Sequence, residues 1–154
     1  DLDTEIMAEI TAIARQPSRR QLRRGLRALR DVTAIARHRT ECCADYRAAL
    51  GPDAWPGAPC DSDRAPLYYY PLLSDNKAAL LQQARKARIE LVPWPVAVPI
   101  YPLEHIAELS VYGYRPGDCP QAEALAARLV GLPTHTRITP AVRRQIIDFL
   151  QARH

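Results

Sequence analysis

No apolar run in this chain approaches the roughly 20 residues that a membrane-spanning helix needs. The longest candidate, Ile89 to Ile100, is broken by Pro93, Pro95 and Pro99. Glycine is sparse too: six residues, scattered, with no GxGxxG and no Walker loop, so no phosphate-cradling nest is evident. GxSxG and HExxH are missing, which removes the nucleophile elbow and the zinc-protease helix. The four cysteines, at 42, 43, 60 and 119, form no CxxC pair and no zinc-knuckle spacing. Cys42 and Cys43 would lie about 100° apart on a helix, poor geometry for a mutual disulfide. Buried or inert thiols in a reducing cytoplasm are the expectation. Lysine is nearly absent, with Lys77 and Lys86 the only two among 21 basic residues. With abundant Ala and Pro, this arginine bias matches the codon usage of a GC-rich genome. The net charge of +4 is modest for a protein that must neutralise many phosphates, so nucleic acid is disfavoured as a partner. No charged stretch leads into an apolar leader, and Asp1 stands where an initiator methionine would. A fragment or processed product is therefore expected.

What is present is ordinary for a globular domain: 154 residues, 47% hydrophobic and 25% charged. A chain of this length can bury about 70% of its unfolded surface. Residues 3–16 carry a helix signal, with Asp3 or Thr4 as cap and Ile6, Ile10 and Ile13 on one stripe. Pro17 interrupts. Ser18 then caps a long helix over 19–50, whose apolar positions Leu22, Leu26, Leu29, Val32, Ala36, Cys43, Tyr46 and Leu50 hold one seam. Gly51-Pro52 ends it.

A Pro/Gly/Asp-rich loop follows over 51–66 and marks the plausible internal boundary. The organisation expected is an N-terminal helix over 1–17, a connecting helix over 18–50, that loop, and a small α/β domain over 67–154. Within it, Leu67–Leu73 reads as a strand and Ser74 or Asp75 caps a helix to about Arg88, with Leu80, Leu81 and Ala84 inward. Ile89–Trp94 reads as a second strand. Residues 95–117 are broken by proline, with a short strand or helix end at Leu109–Tyr114. Asp118-Cys119-Pro120-Gln121 starts a helix with Ala122, Leu125 and Leu129 inward, ending at Gly131. Leu132–Thr136 is extended. Thr139-Pro140 opens a last helix striped by Val142, Ile146, Phe149 and Leu150. The fold class is α+β: a small antiparallel or mixed sheet covered by helices, with a long N-terminal helix.

Three groupings could carry chemistry. His38 and Cys42 stand four apart on the long helix and could share a metal, but two ligands do not make a site, and a polar helix face is the plainer reading. Arg19, Arg20, Arg23, Arg24, Arg27 and Arg30 crowd the start of the same helix. They are either a solvated face or an anionic contact. Trp94, Tyr101 and Tyr68–Tyr70 could stack on a ligand ring or simply fill a core.

The run over 80–95 (LLQQARKARIELVPWP) and that over 119–150 resemble the end of the DegT/DnrJ/StrS sugar aminotransferases. Trp94-Pro95, Pro120, Ala122-Glu123, Leu125-Ala126, Leu132-Pro133 and His135 match that family's spacing, with Cys119 where a tyrosine is common. Residues 24–50 resemble the long helix that joins the family's large and small domains. The family's histidine before the aromatic near Pro99–Tyr101 is missing, and His105 lies several residues later.

The resemblance implies the C-terminal part of a fold-type-I, pyridoxal-phosphate-dependent nucleotide-sugar aminotransferase. It implies a missing N-terminal large domain, a homodimeric parent and a cytoplasmic location. The chemistry needs a Schiff-base lysine and an acid on the pyridinium nitrogen. Relatives carry both upstream of the matched region, so no catalytic or cofactor-binding residue is expected in this chain, and the enzyme would not act through it alone. No metal is expected. Trp94, His135 and Tyr101 are the residues implied for substrate binding. The competing class is a non-catalytic binding domain that kept the small-domain fold. The two differ over the Leu22–Leu50 seam: a piece of a larger protein leaves it bare, whereas a stand-alone domain covers it with its first helix.

Overall fold

The computed structural model describes residues 17–51, 66–93 and 113–153. The chain divides into two compact units, Asp1–Ala34 and Ile35–His154. The helix expected over 3–16 lies outside the described residues, as do most of 51–66 and of 95–117.

Helix α1 runs unbroken from Arg19 to Leu50, as its apolar spacing predicts. A capping box starts it: the Gln21 N–H donates to Ser18 Oγ at 3.3 Å, and the Ser18 N–H donates to Gln21 Oε1 at 2.7 Å. Gly51 ends it in the left-handed region at φ 80°, its N–H bonded to the Arg47 carbonyl at 3.1 Å. The seam, however, is buried only in its second half. Cys42, Cys43 and Tyr46 are inside, whereas Leu22, Leu26, Leu29 and Val32 are 51–67% exposed. An apolar period defines a face, but burial requires another element against it.

Strands β1 (Tyr69–Leu73) and β2 (Leu129–Pro133) pair antiparallel, with Tyr69 opposite Pro133 and Leu73 opposite Leu129. β2 replaces the helix end expected at Leu129–Gly131, because pairing with β1 satisfies these backbone groups and buries Val130 and Leu132. The second strand expected at Ile89–Trp94 reduces, among the described residues, to one bridge. Val92 and Gly131 exchange both N–H···O bonds at 2.8 Å. Gly131 is tight there: a Cβ would meet Tyr69 Cβ at 3.1 Å and Val92 Cβ at 3.2 Å.

Helix α2 (Lys77–Lys86) is capped by Asn76, whose side chain accepts from the Ala79 N–H at 3.2 Å, and not by Ser74 or Asp75. Ala84 is buried, with Leu80 and Leu81 half-buried. Helix α3 (Pro120–Arg128) begins after Cys119, which makes no side-chain cap bond. The Asp118 carboxylate expected there accepts the Arg115 N–H instead, at 2.7 Å. The inward face of α3 also sits elsewhere than expected, with Ala126 buried and Leu125 43% exposed. Helix α4 (Pro140–Gln151) opens as expected, with the Thr139 hydroxyl accepting from the Val142 N–H at 3.3 Å and Pro140 in the first turn. Ile146, Phe149 and Leu150 are buried and join Cys42, Tyr46, Tyr70, Leu72 and Leu132 in the core.

The result is an α+β fold: helices against a two-stranded antiparallel sheet. Among the described residues, no helix is long and apolar enough to cross a membrane.

Candidate functional site

The end of β2 brings one predicted residue, His135, to a surface shared by four segments. Two anchors pin the chain just before it. The Tyr46 hydroxyl of α1 donates to the Pro133 carbonyl at 3.0 Å. The buried Thr134 hydroxyl lies 2.7 Å from the Leu67 carbonyl and 2.8 Å from that of Tyr68. A third contact comes from His38, whose Nε2 is 3.1 Å from the His135 carbonyl. A carbonyl can only accept, so this His38 Nε2 carries the proton.

The imidazole of His135 is partly exposed. Its Nε2 lies 3.0 Å from Glu90 Oε1, with side-chain exposures of 28% and 52%. Its Nδ1 is buried and has no hydrogen-bond partner among the described residues. Nearby, the Arg39 guanidinium lies 4.7 Å over the ring of Tyr68, and Tyr68 meets Tyr69 edge-on at 4.5 Å. Desolvation first, then Tyr68 and the charge of Glu90, raise the Tyr69 phenol above its ordinary pKa. Arg39, Tyr68 and Tyr69 thus form one cluster and Glu90 pairs with His135, the charge of Glu90 acting on Tyr69: one cation, two phenols, one carboxylate and one imidazole. Such groups can stack on a ring and exchange hydrogen bonds with a polar ligand.

Trp94 and Tyr101, the other two predicted ligand residues, lie outside the described residues, and the described chain ends at Pro93 on that side. Glu90 was not singled out from the sequence. Its signal was an acid set in the otherwise apolar run Ile89–Val92. Arg39 gave none, since it is one arginine among many on α1.

The pair His38 and Cys42 does meet, with Sγ 3.5 Å from Nε2. Among the described residues no third ligand joins them, and no group of three His, Cys, Asp or Glu residues could hold a metal. Cys42 is wholly buried and accepts a hydrogen bond from Arg143 Nη1 at 3.0 Å. Arg143 in turn holds Asp45 at 2.7 Å. Burial raises the Cys42 thiol pKa even against the pull of Arg143, and burial lifts Cys43 to about 11. Neither is a ready nucleophile.

The lysines decide whether these residues fit a pyridoxal cofactor. Lys77 is only 8% exposed, and its Nζ donates to the Ala126 carbonyl of α3 at 2.8 Å. Its position at the start of α2 turns the amine toward the last turn of α3, where carbonyls lack helical partners. Lys86 sits exposed at the far end of α2. Neither is placed to hold the cofactor's aldehyde.

No family model and no curated protein matches the chain. Among solved structures it is similar to the crystal structure of a DegT DnrJ EryC1 StrS aminotransferase from Brucella abortus. The TM-score is 0.66 at 24% sequence identity, over 84% of this chain and 34% of that one. At this identity the likeness is one of fold. The chain spans about a third of the length of that relative.

Proposed function

We propose that the chain is the small, substrate-shaping part of a pyridoxal-phosphate-dependent nucleotide-sugar aminotransferase-like protein and is not catalytic alone. The observation that carries this reading is the fold likeness to an aminotransferase over 84% of the chain, against 34% of the relative. The patch around His135 supports a role at a cleft, since it is partly exposed, polar and aromatic, and assembled from separate segments. Backbone anchors hold it in place. In this reading the large domain, with the cofactor lysine, belongs to another stretch of polypeptide, and the parent is a homodimer. Trp94 and Tyr101 would complete the substrate surface with His135. The small domain orients the sugar and excludes water when the cleft closes.

The first test is the intact mass of the product made in its native host. A mass well above 17.3 kDa supports the reading, and one close to 17.3 kDa overturns it in favour of a binding domain that kept the fold. With a longer product in hand, Glu90→Gln and His135→Ala are expected to raise the nucleotide-sugar KM about tenfold, the loss of a hydrogen bond worth about 1.4 kcal/mol. An unchanged KM in both would remove His135 from the substrate surface.

A further inference from the structure

Arg39 is a half-buried cation without an acid. Its guanidinium lies 4.7 Å over the ring of Tyr68, and no carboxylate among the described residues lies within ion-pair distance of it. Arg128 and Arg143, by contrast, each hold an aspartate at 2.7 Å. The Nε of Arg39 is buried and has no hydrogen-bond partner among the described residues. A guanidinium presents its N–H donors in a planar fork that matches the oxygens of a phosphate, and a donor left dry and unpaired is costly.

Tyr68 is the second unspent group. It is 64% exposed, although a ring of that size gains by burial, and Tyr69 meets it edge-on at 4.5 Å. Both tyrosines are fixed at the backbone. The Tyr68 carbonyl accepts from the buried Thr134 hydroxyl at 2.8 Å, and Tyr69 pairs with Pro133 in the ladder. Arg39 follows His38, whose Nε2 donates to the His135 carbonyl at 3.1 Å. The same anchors therefore set the cation and the open ring beside the segment that carries His135. Their chemistry fits a ligand offering an aromatic ring and an oxyanion together. A nucleotide does so, because bases stack on aromatic side chains and phosphates take charge-assisted bonds from arginine. A peptide carboxylate would use the arginine and leave the ring bare.

We propose that Arg39 and Tyr68 bind the nucleotide end of a nucleotide-sugar, Arg39 on the phosphates and Tyr68 stacked on the base, with the sugar extending toward Glu90 and His135. The ligand class rests on the nucleotide-sugar reading; the placement of its nucleotide end is added here.

Titration calorimetry of the intact 154-residue chain with uridine diphosphate, inorganic pyrophosphate and uridine tests it. Uridine diphosphate should bind saturably. Pyrophosphate and uridine should each bind at least about tenfold more weakly, because each keeps only one half of the contacts. Arg39→Gln and Tyr68→Ala should each weaken uridine diphosphate about tenfold. Arg37→Gln removes the same charge from a neighbouring exposed position and should leave binding unchanged. Unaltered amide exchange in residues 69–73 and 140–151 reports an intact core in each variant. Should Arg39→Gln loosen that core, the exposed Tyr68 supplies the deciding variant.

No saturable binding of uridine diphosphate up to about 10 mM would overturn the proposal. So would binding that survives Tyr68→Ala, pyrophosphate binding as tight as that of uridine diphosphate, or a loss in Arg37→Gln equal to that in Arg39→Gln. The native mass tests the aminotransferase reading separately. A long native product with no uridine diphosphate binding here sinks this proposal alone, and a mass near 17.3 kDa with the binding intact sinks only that reading.

Discussion

Single side chains hold the end of β2 in place, Tyr46 among them. Its ring is fully buried, tilted against Tyr70 at 5.7 Å, and its hydroxyl bonds the Pro133 carbonyl. Burial raises the phenol pKa, so the group stays neutral and keeps donating. In Tyr46→Phe the Pro133 carbonyl loses this donor inside the protein. We expect a loss of about 1–2 kcal/mol, read as a lower urea midpoint with an unchanged slope. A midpoint equal to that of the unaltered chain would show that water replaces the hydroxyl. The sequence placed Tyr46 on the seam correctly but could not reveal this bond, whose partner lies 87 residues away.

Among the elements, α3 shows how local chemistry and tertiary demand divide the work. Its helix start was legible, from Pro120 and the residues before it, yet its anchor is Glu123 and not Asp118. Glu123 Oε1 accepts both the Tyr114 hydroxyl and the Gly117 N–H, each at 2.7 Å. The Tyr114 bond is the largest cause holding the Glu123 pKa below its ordinary value of 4.5, with the Gly117 N–H next. A carboxylate whose folded pKa is depressed adds stability that is complete above the unfolded value. That contribution is lost as pH falls through the lower folded value. The stability gap between the unaltered chain and Glu123→Gln should therefore be open at pH 7 and narrow below about pH 4.5. Thermal melts of both proteins across that range would check it. A gap that persists unchanged in acid would mean that the carboxylate charge is not what holds the turn. Boundary errors elsewhere have a similar origin. Leu129 and Val130 continue a helical pattern by residue type, but pairing with β1 takes them into a strand.

For the whole molecule, the division at Ala34 matters most. Among the described residues, the buried core, from Cys42 to Leu150, belongs to Ile35–His154. A chain of residues 35–154 should therefore unfold in one cooperative transition, with a free energy within about 1 kcal/mol of the full chain. Guanidinium melts followed by tyrosine fluorescence would decide this, and a broad, non-cooperative melt would show that residues 1–34 are needed for the core. The fold likeness covers 84% of the chain, yet the chain spans only 34% of its relative. Catalytic competence thus belongs to a larger assembly in our proposal.

The amino-acid order alone determined the long helix from Ser18 to Gly51, the last helix from Thr139, the α+β class and the resemblance that singled out His135. These rest on caps, glycines and apolar spacing, which act between near neighbours in the chain. The tertiary structure decided which half of the α1 seam is buried, that Lys77 turns inward to Ala126, that Glu90 meets His135 and that Arg39 lies over Tyr68. Those outcomes depend on partners many residues apart. No local pattern encodes them, because each is selected by what the folded chain brings within reach.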